Sequence, residues 1–287
     1  MTYRRRASPL HAARAAAGIA YCFGLGCAAL LLSSPVALGA VTAAIALAGV
    51  AAGVGRQMRH AAVFGATLGL LVLVINALVT RNGLTVIWRL GALPVVGQTD
   101  VTLEATVYGA VLGLRALALV LCGALYTAAV DPDEVLKLFR RASFHSALTA
   151  TLATRMVPLL VRDSRRLADA QRCRPGRPAG RVQLMRATTA GVLDRALDAA
   201  AALEVRGYGA ARRPPRVAIP YSRHDLAFAV AGVSVLGLAI AVRVAGLAPF
   251  SAYPALHVPV RLPEMLVAFA LIACALLPFV DRRGIER

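Results

Sequence analysis

Two arginines carry the chemistry that this chain offers. Arg206 closes the sequence Ala201-Ala202-Leu203-Glu204-Val205 and is followed by Gly207, while Arg174, 32 residues earlier, follows Cys173 and precedes Pro175. An arginine at the end of a helix makes several charge-assisted hydrogen bonds to carboxylate and carbonyl groups of a partner, which is recognition chemistry rather than catalysis. A plainer use is open as well: arginine complements the helix dipole, and glycine is a routine helix stop.

Catalytic constellations are missing. No G-x-x-x-x-G-K-[ST] is present, and the only lysine is Lys137, so the chain has no P-loop to hold ATP phosphates. Neither H-E-x-x-H nor G-x-S-x-G occurs, and no group of intramembrane carboxylates is placed to hold metal ions. The histidines (His11, His60, His145, His224, His257) are scattered singly, and Cys22, Cys27, Cys122, Cys173 and Cys274 form no C-x-x-C. We expect no cofactor, no metal site and no enzymatic activity.

The elements that must position Arg174 and Arg206 belong to a membrane protein. Hydrophobic residues make up 59% of the chain, mean hydropathy is +0.68, and apolar runs near 20 residues recur. Spans are expected at 15 to 32, 36 to 54, 61 to 79, 101 to 130, 226 to 246 and 263 to 280. The fold class is therefore all-α and polytopic, with about six transmembrane helices. Arg4-Arg5-Arg6 before an apolar run resembles a signal peptide, but five further spans follow and no A-x-A-type site closes it, so it reads as the approach to the first membrane helix.

A formal charge of +18 raises the question of nucleic acid, and the placement of the charge answers it. An even number of spans puts both termini on one side. If that side is the cytoplasm, 27 of the 32 Lys and Arg residues lie there, as the positive-inside rule requires. Aromatic residues are not interleaved with the basic ones, so no nucleic-acid partner is expected. The implied organisation is membrane helices in 1–130, a cytoplasmic helical region in 131–225 and membrane helices in 226–287, with the lipid bilayer of the plasma membrane as surroundings.

Within the spans, Gly65-x-x-x-Gly69 and Gly109-x-x-x-Gly113 permit close helix crossings, although an alanine-rich composition also produces such patterns by chance. Residues 80–100 read as an outer connection, a short hairpin or re-entrant piece, with Trp88 at the interface. Glu104 and Arg115, 11 residues apart, fall nearly on one face of a helix and about 16 Å apart along it. An intramembrane arginine faces protein or water, and the expectation is a tie to a neighbouring helix. Arg243 snorkels to the outer edge.

The cytoplasmic region begins with Asp131-Pro132-Asp133-Glu134, a helix start with acids in its first turn. A long helix over about 146 to 174 carries Met156, Leu160, Ser164, Leu167 and Gln171 on one side, and Arg162, Arg165, Arg166, Asp169 and Arg172 on the other. Pro175 and Pro178 stop it. A second helix, about 180 to 206, aligns Leu193, Ala196, Leu197, Ala200 and Leu203.

In this order the residues resemble a known family, the transmembrane T component (EcfT or CbiQ-like) of energy-coupling factor (ECF) importers of vitamins and metal ions. The resemblance covers about residues 70 to 210. It rests on Asn76, Asn82-Gly83, Thr102-Leu103-Glu104, Gly109, Arg115, Asp133-Glu134, Arg155-Met156-Val157-Pro158, Ala170-Gln171-Arg172-Cys173-Arg174 and Ala202-Leu203-Glu204-Val205-Arg206-Gly207-Tyr208.

The resemblance implies two crossed cytoplasmic coupling helices, each ending in an Ala-Arg-Gly-like triplet that docks on one of two ATPase subunits. Here the matching triplets are Cys173-Arg174-Pro175 and Val205-Arg206-Gly207, the first with proline where glycine is usual. Glu104, Arg115, Arg155, Pro158 and Glu204 then take structural or coupling roles. The implied partners are two ECF ATPase subunits and a substrate-binding membrane subunit, the S component. On the residues alone two other readings stay open: a stand-alone permease using Asn76, Glu104 and Arg115, and a structural protein whose basic face binds anionic lipid.

Overall fold

The computed structural model describes residues 6–79, 85–93, 97–139, 144–173, 180–207, 221–247 and 262–281. In chain order the elements are α1 (Pro9–Ala12), α2 (Ala15–Leu31), α3 (Pro35–Ala51), α4 (Gly55–Val79), β1 (Val86–Leu93), β2 (Gly97–Thr102), α5 (Leu103–Ala129), α6 (Pro132–Phe139), α7 (Phe144–Arg172), α8 (Arg181–Val205), α9 (Arg223–Ala245), α10 (Leu262–Leu276) and the 3₁₀ turn η1 (Leu277–Phe279). The chain divides into two compact units, Met1–Val135 with Tyr221–Arg287, and Leu136–Pro220.

The first unit is a polytopic membrane protein fold, all-α apart from one short β-hairpin. Helices α4, α5, α9 and α10 with η1 are long and apolar enough to cross a membrane, and α2 and α3 are shorter apolar helices of 17 residues. They coincide with the six expected spans. Strands β1 and β2 form an antiparallel hairpin between α4 and α5, with Val86 opposite Thr102 and Leu93 opposite Gly97. The Trp88 side chain lies outside the described residues.

Lipid tails are as apolar as the helices, so association inside a membrane depends on close packing more than on burial from water. The glycines supply that closeness. A Cβ added at Gly113 would stand 2.6 Å from the Gly69 carbonyl oxygen, and one at Gly109 would stand 3.1 Å from that of Leu73, so the two G-x-x-x-G stripes of α4 and α5 face each other. Gly24 of α2 and Gly232 of α9 meet in the same backbone-to-backbone way, although neither belongs to such a motif.

At the α2–α9–α10 junction three aromatic rings lock edge to face. Tyr21 meets Phe228 with centroids 5.3 Å apart, and Phe279 lies 5.1 Å from Phe228. The fully buried Tyr21 hydroxyl donates to the Ala275 carbonyl at 2.8 Å, satisfying its polar end where water is excluded.

In the second unit α7 packs on α8 with the side expected to be apolar: Met156, Leu160, Ser164, Leu167 and Gln171 are half-buried, while Arg162, Arg165 and Arg166 are exposed. Helix α8 differs. Its half-buried residues are Leu184, Thr188, Val192, Ala199 and Leu203, whereas Leu193, Ala196, Leu197 and Ala200 stay exposed. Of the aligned stripe only Leu203 is half-buried, which leaves an apolar strip of α8 uncovered among the described residues. An ion pair between Arg195 and Asp163 ties α8 to α7.

Candidate functional site

Helix α8 ends in an exposed tip. Arg206 still donates its backbone N–H to Ala202 at 3.3 Å, and Gly207 donates to Glu204 at 2.8 Å as the chain turns. Gly207 has φ of +73°, the left-handed conformation that closes a helix and that a Cβ resists. Val205 is 89% exposed, and Glu204, Arg206 and Gly207 are exposed beside it. Among the described residues the Arg206 side chain forms no hydrogen bond or ion pair, so its guanidinium keeps all five donors for a partner.

Helix α7 ends at Arg172, whose guanidinium reaches Asp169 at 3.6 Å. Cys173 is exposed and donates its N–H to Asp169 at 3.2 Å. Arg174 and Pro175 lie outside the described residues. Upstream, Arg155 is exposed and Pro158 stands inside α7, where it has no N–H to offer the Thr154 carbonyl.

The membrane unit gathers its polar contacts at the ends of its helices. At the start of α2, Arg14 and Ala15 present backbone N–H groups that have no partner within the helix. Asp225, in the first turn of α9, accepts from Arg14 N at 2.6 Å; Glu134, in the first turn of α6, accepts from Ala15 N at 3.0 Å. Two carboxylates therefore cap one helix start, where the dipole favours negative charge. Asp225 also pairs with Arg14 Nε at 3.4 Å and accepts from Ser222 N at 2.9 Å in a capping box, while the Arg14 guanidinium lies over the Tyr221 ring at 4.9 Å.

A cavity of about 120 Å³ opens beside this cap, lined by His11, Arg14, Asp131 and Glu134. His11 bonds through Nδ1 to the Ser8 hydroxyl at 2.7 Å. Burial pushes its pKa below 6.5; a backbone hydrogen bond to Ala128 works against this and the charge of Arg6 with it.

At the opposite end of α2, three consecutive residues are each held from a different helix. Arg115 of α5 donates Nη2 to the Leu32 carbonyl at 2.9 Å, Arg243 of α9 donates to the Ser33 hydroxyl at 3.1 Å, and the Ser34 hydroxyl meets Glu264 of α10 at 3.5 Å. Glu104 instead accepts from both the N–H and the hydroxyl of Thr85, fastening the hairpin's entry to the start of α5. Glu104 and Arg115 share a helix but serve different partners, and the structure does not bring them together as one site.

Sequence reasoning missed Arg14, Asp225, Glu264 and the capping role of Glu134. One of them left a signal: Ser222 with Asp225 three residues later, before an apolar run, is a capping-box pattern. Among the described residues no three His, Cys, Asp or Glu side chains converge as a metal site would need.

The family described as CbiQ, Cobalt transport protein, matches residues 6–216, well over half of the chain. No curated protein matches it. With its apolar helices this makes the chain a multi-pass membrane component of a transporter. The chain belongs to the CbiQ family, the T components of ECF transporters.

Proposed function

We propose that this chain is the energy-coupling subunit of an importer, passing ATP-driven motion of two ATPase subunits to a separate substrate-binding membrane subunit. The observation that carries the reading is the tip of α8: an exposed arginine without a side-chain partner among the described residues, followed by a left-handed glycine at the end of a 25-residue helix. Arg206 and Arg174 each dock on one ATPase, with Gly207, Val205 and Cys173 shaping the contacts. Glu204 stands beside the second tip, and Arg155 and Pro158 belong to the first coupling helix.

A rigid helix transmits displacement, and the membrane unit has a defined place to receive it. The chain leaves that unit through residues 131–135 and re-enters it at 221–225, and both passages are fastened to the start of α2, by Glu134 and by Asp225. Movement of the coupling helices is thereby delivered to α2 and α9. Arg115 and Glu104 brace the other end. In this reading both termini and the coupling helices are cytoplasmic, and the ATP is hydrolysed by the partners.

Co-expression with the ATPases and S component of such an importer, followed by affinity purification of the tagged chain from detergent, tests the reading. Two ATPases are expected to co-purify. Uptake by the purified chain alone in liposomes, with no ATPase retained, would return it to a stand-alone permease.

A further inference from the structure

The two fastenings at the start of α2 are unequal. On the α9 side, Asp225 is 4% exposed, accepts from the backbone N–H groups of Arg14 and Ser222 and pairs with Arg14 Nε, and Phe228 one turn later is fully buried. On the α6 side, Glu134 is half-buried and makes one hydrogen bond among the described residues, accepting from Ala15 N at 3.0 Å. None of residues 132–138 is buried, and α6 packs broadly against no other element among the described residues.

Helix α6 also crosses the division of the chain: Val135 closes one compact unit and Leu136 opens the other. Behind it α5 is held fast, with Ala128, Ala129 and Val130 buried and the Val130 side chain 3.0 Å from where a Cβ on Gly18 of α2 would stand. A pull on α6 therefore loads the Glu134 bond first. One charge-assisted hydrogen bond at a half-exposed carboxylate costs less to open than the contacts shared by a buried one.

Opening that bond requires other partners for the Ala15 N–H and the Glu134 carboxylate, because a buried polar group left unpaired is costly. The cavity of about 120 Å³ lies at the bond, lined by Ala15, Gly18, Asp131 and Glu134. Water takes up about 30 Å³ per molecule, so a few waters fit there and hydrate both ends of an opened bond.

We infer that Glu134 is a releasable clasp. The inference rests on the coupling role proposed above: the bond to Ala15 opens and closes with the movement of the coupling helices, while Asp225 keeps α2 and α9 joined throughout.

Ala16 and Asp133, exposed neighbours of Ala15 and Glu134, allow the clasp to be locked without altering it. The chain carrying Ala16→Cys and Asp133→Cys is reconstituted in liposomes with the ATPases and S component proposed as its partners, linked by a short bis-methanethiosulfonate and later released with dithiothreitol. Co²⁺, the ion in the family's description, is the transport probe. ATP hydrolysis should continue in the linked chain while uptake is lost, and the reductant should restore uptake. The unsubstituted chain given the same reagent controls for the native cysteines. Glu134→Ala should lower uptake per ATP hydrolysed several-fold with its ATPases retained, and Glu134→Gln, which keeps an acceptor, should recover most of it. Full uptake by the linked chain, or an unchanged ratio of uptake to hydrolysis in Glu134→Ala, would overturn the clasp and leave the coupling role standing. No ATP-driven uptake by the unsubstituted chain would overturn the coupling role, and the clasp with it. Where the reagent does not join the pair, the Glu134→Ala ratio decides alone.

Discussion

Arg14 and Asp225 are 211 residues apart in sequence and joined twice in space, through the Arg14 backbone N–H at 2.6 Å and through its guanidinium at 3.4 Å. The same carboxylate closes the capping box of α9, so one side chain holds two helix starts. Asp225→Ala should lower the unfolding free energy by about 2 to 4 kcal/mol, the loss of a cap and of a charge-assisted hydrogen bond together. Asp225→Asn keeps an acceptor and should lose less. Thermal unfolding in detergent ranks the two, and equal behaviour of Asn and Ala would show that the bonds to Arg14 N and Ser222 N contribute nothing.

The α4–α5 crossing predicts a contrast between glycines. Gly113→Ala places a methyl against the Gly69 carbonyl, and overpacking of this kind costs about 1 to 3 kcal/mol. Gly123, on the same helix, has nothing within 4 Å of an added Cβ, and Gly123→Ala should be neutral or slightly stabilising. Melting temperatures of the two variants in one detergent provide the comparison.

Acid should loosen the cap beside His11. Burial holds its folded pKa below the 6.5 of an unconstrained imidazole, so as pH falls the unfolded chain takes the proton first. The stability that neutral His11 contributes is present above about pH 6.5 and drains away as pH drops toward the folded value. Unfolding midpoints measured between pH 7.5 and 5.5 should therefore fall less steeply in His11→Asn than in the native chain. An identical slope would assign the acid sensitivity to other groups.

The helical frame was legible because each apolar run has the length that a membrane imposes, and α2, α3, α4, α5, α9 and α10 follow those runs closely. The facing glycine stripes were legible as motifs; the Gly24 and Gly232 approach was not, because no local spacing announces it. A helical wheel aligned Leu193, Ala196, Leu197, Ala200 and Leu203 on α8, but periodicity does not say which neighbour covers a strip, and of these five only Leu203 is half-buried. Glu134 read as the first-turn acid of its own helix; that it also caps α2 depends on a contact spanning 119 residues. Pairings over such distances are properties of the fold rather than of any window of sequence.

Docking through two arginines, rather than through general positive charge, is the central claim, and one pull-down addresses it. Tagged chain carrying Arg206→Ala, Arg174→Ala, both, or Arg165→Ala is co-expressed with the ATPases proposed as its partners and solubilised, and their retention is measured. Loss of a buried charge-assisted contact typically costs about 2 to 5 kcal/mol, so either single tip variant should weaken retention and the double should release the ATPases. Arg165 is exposed on the side of α7 away from its half-buried residues, and Arg165→Ala should retain them. Equal loss from Arg165→Ala and Arg206→Ala, or full retention in the double variant, would contradict the account.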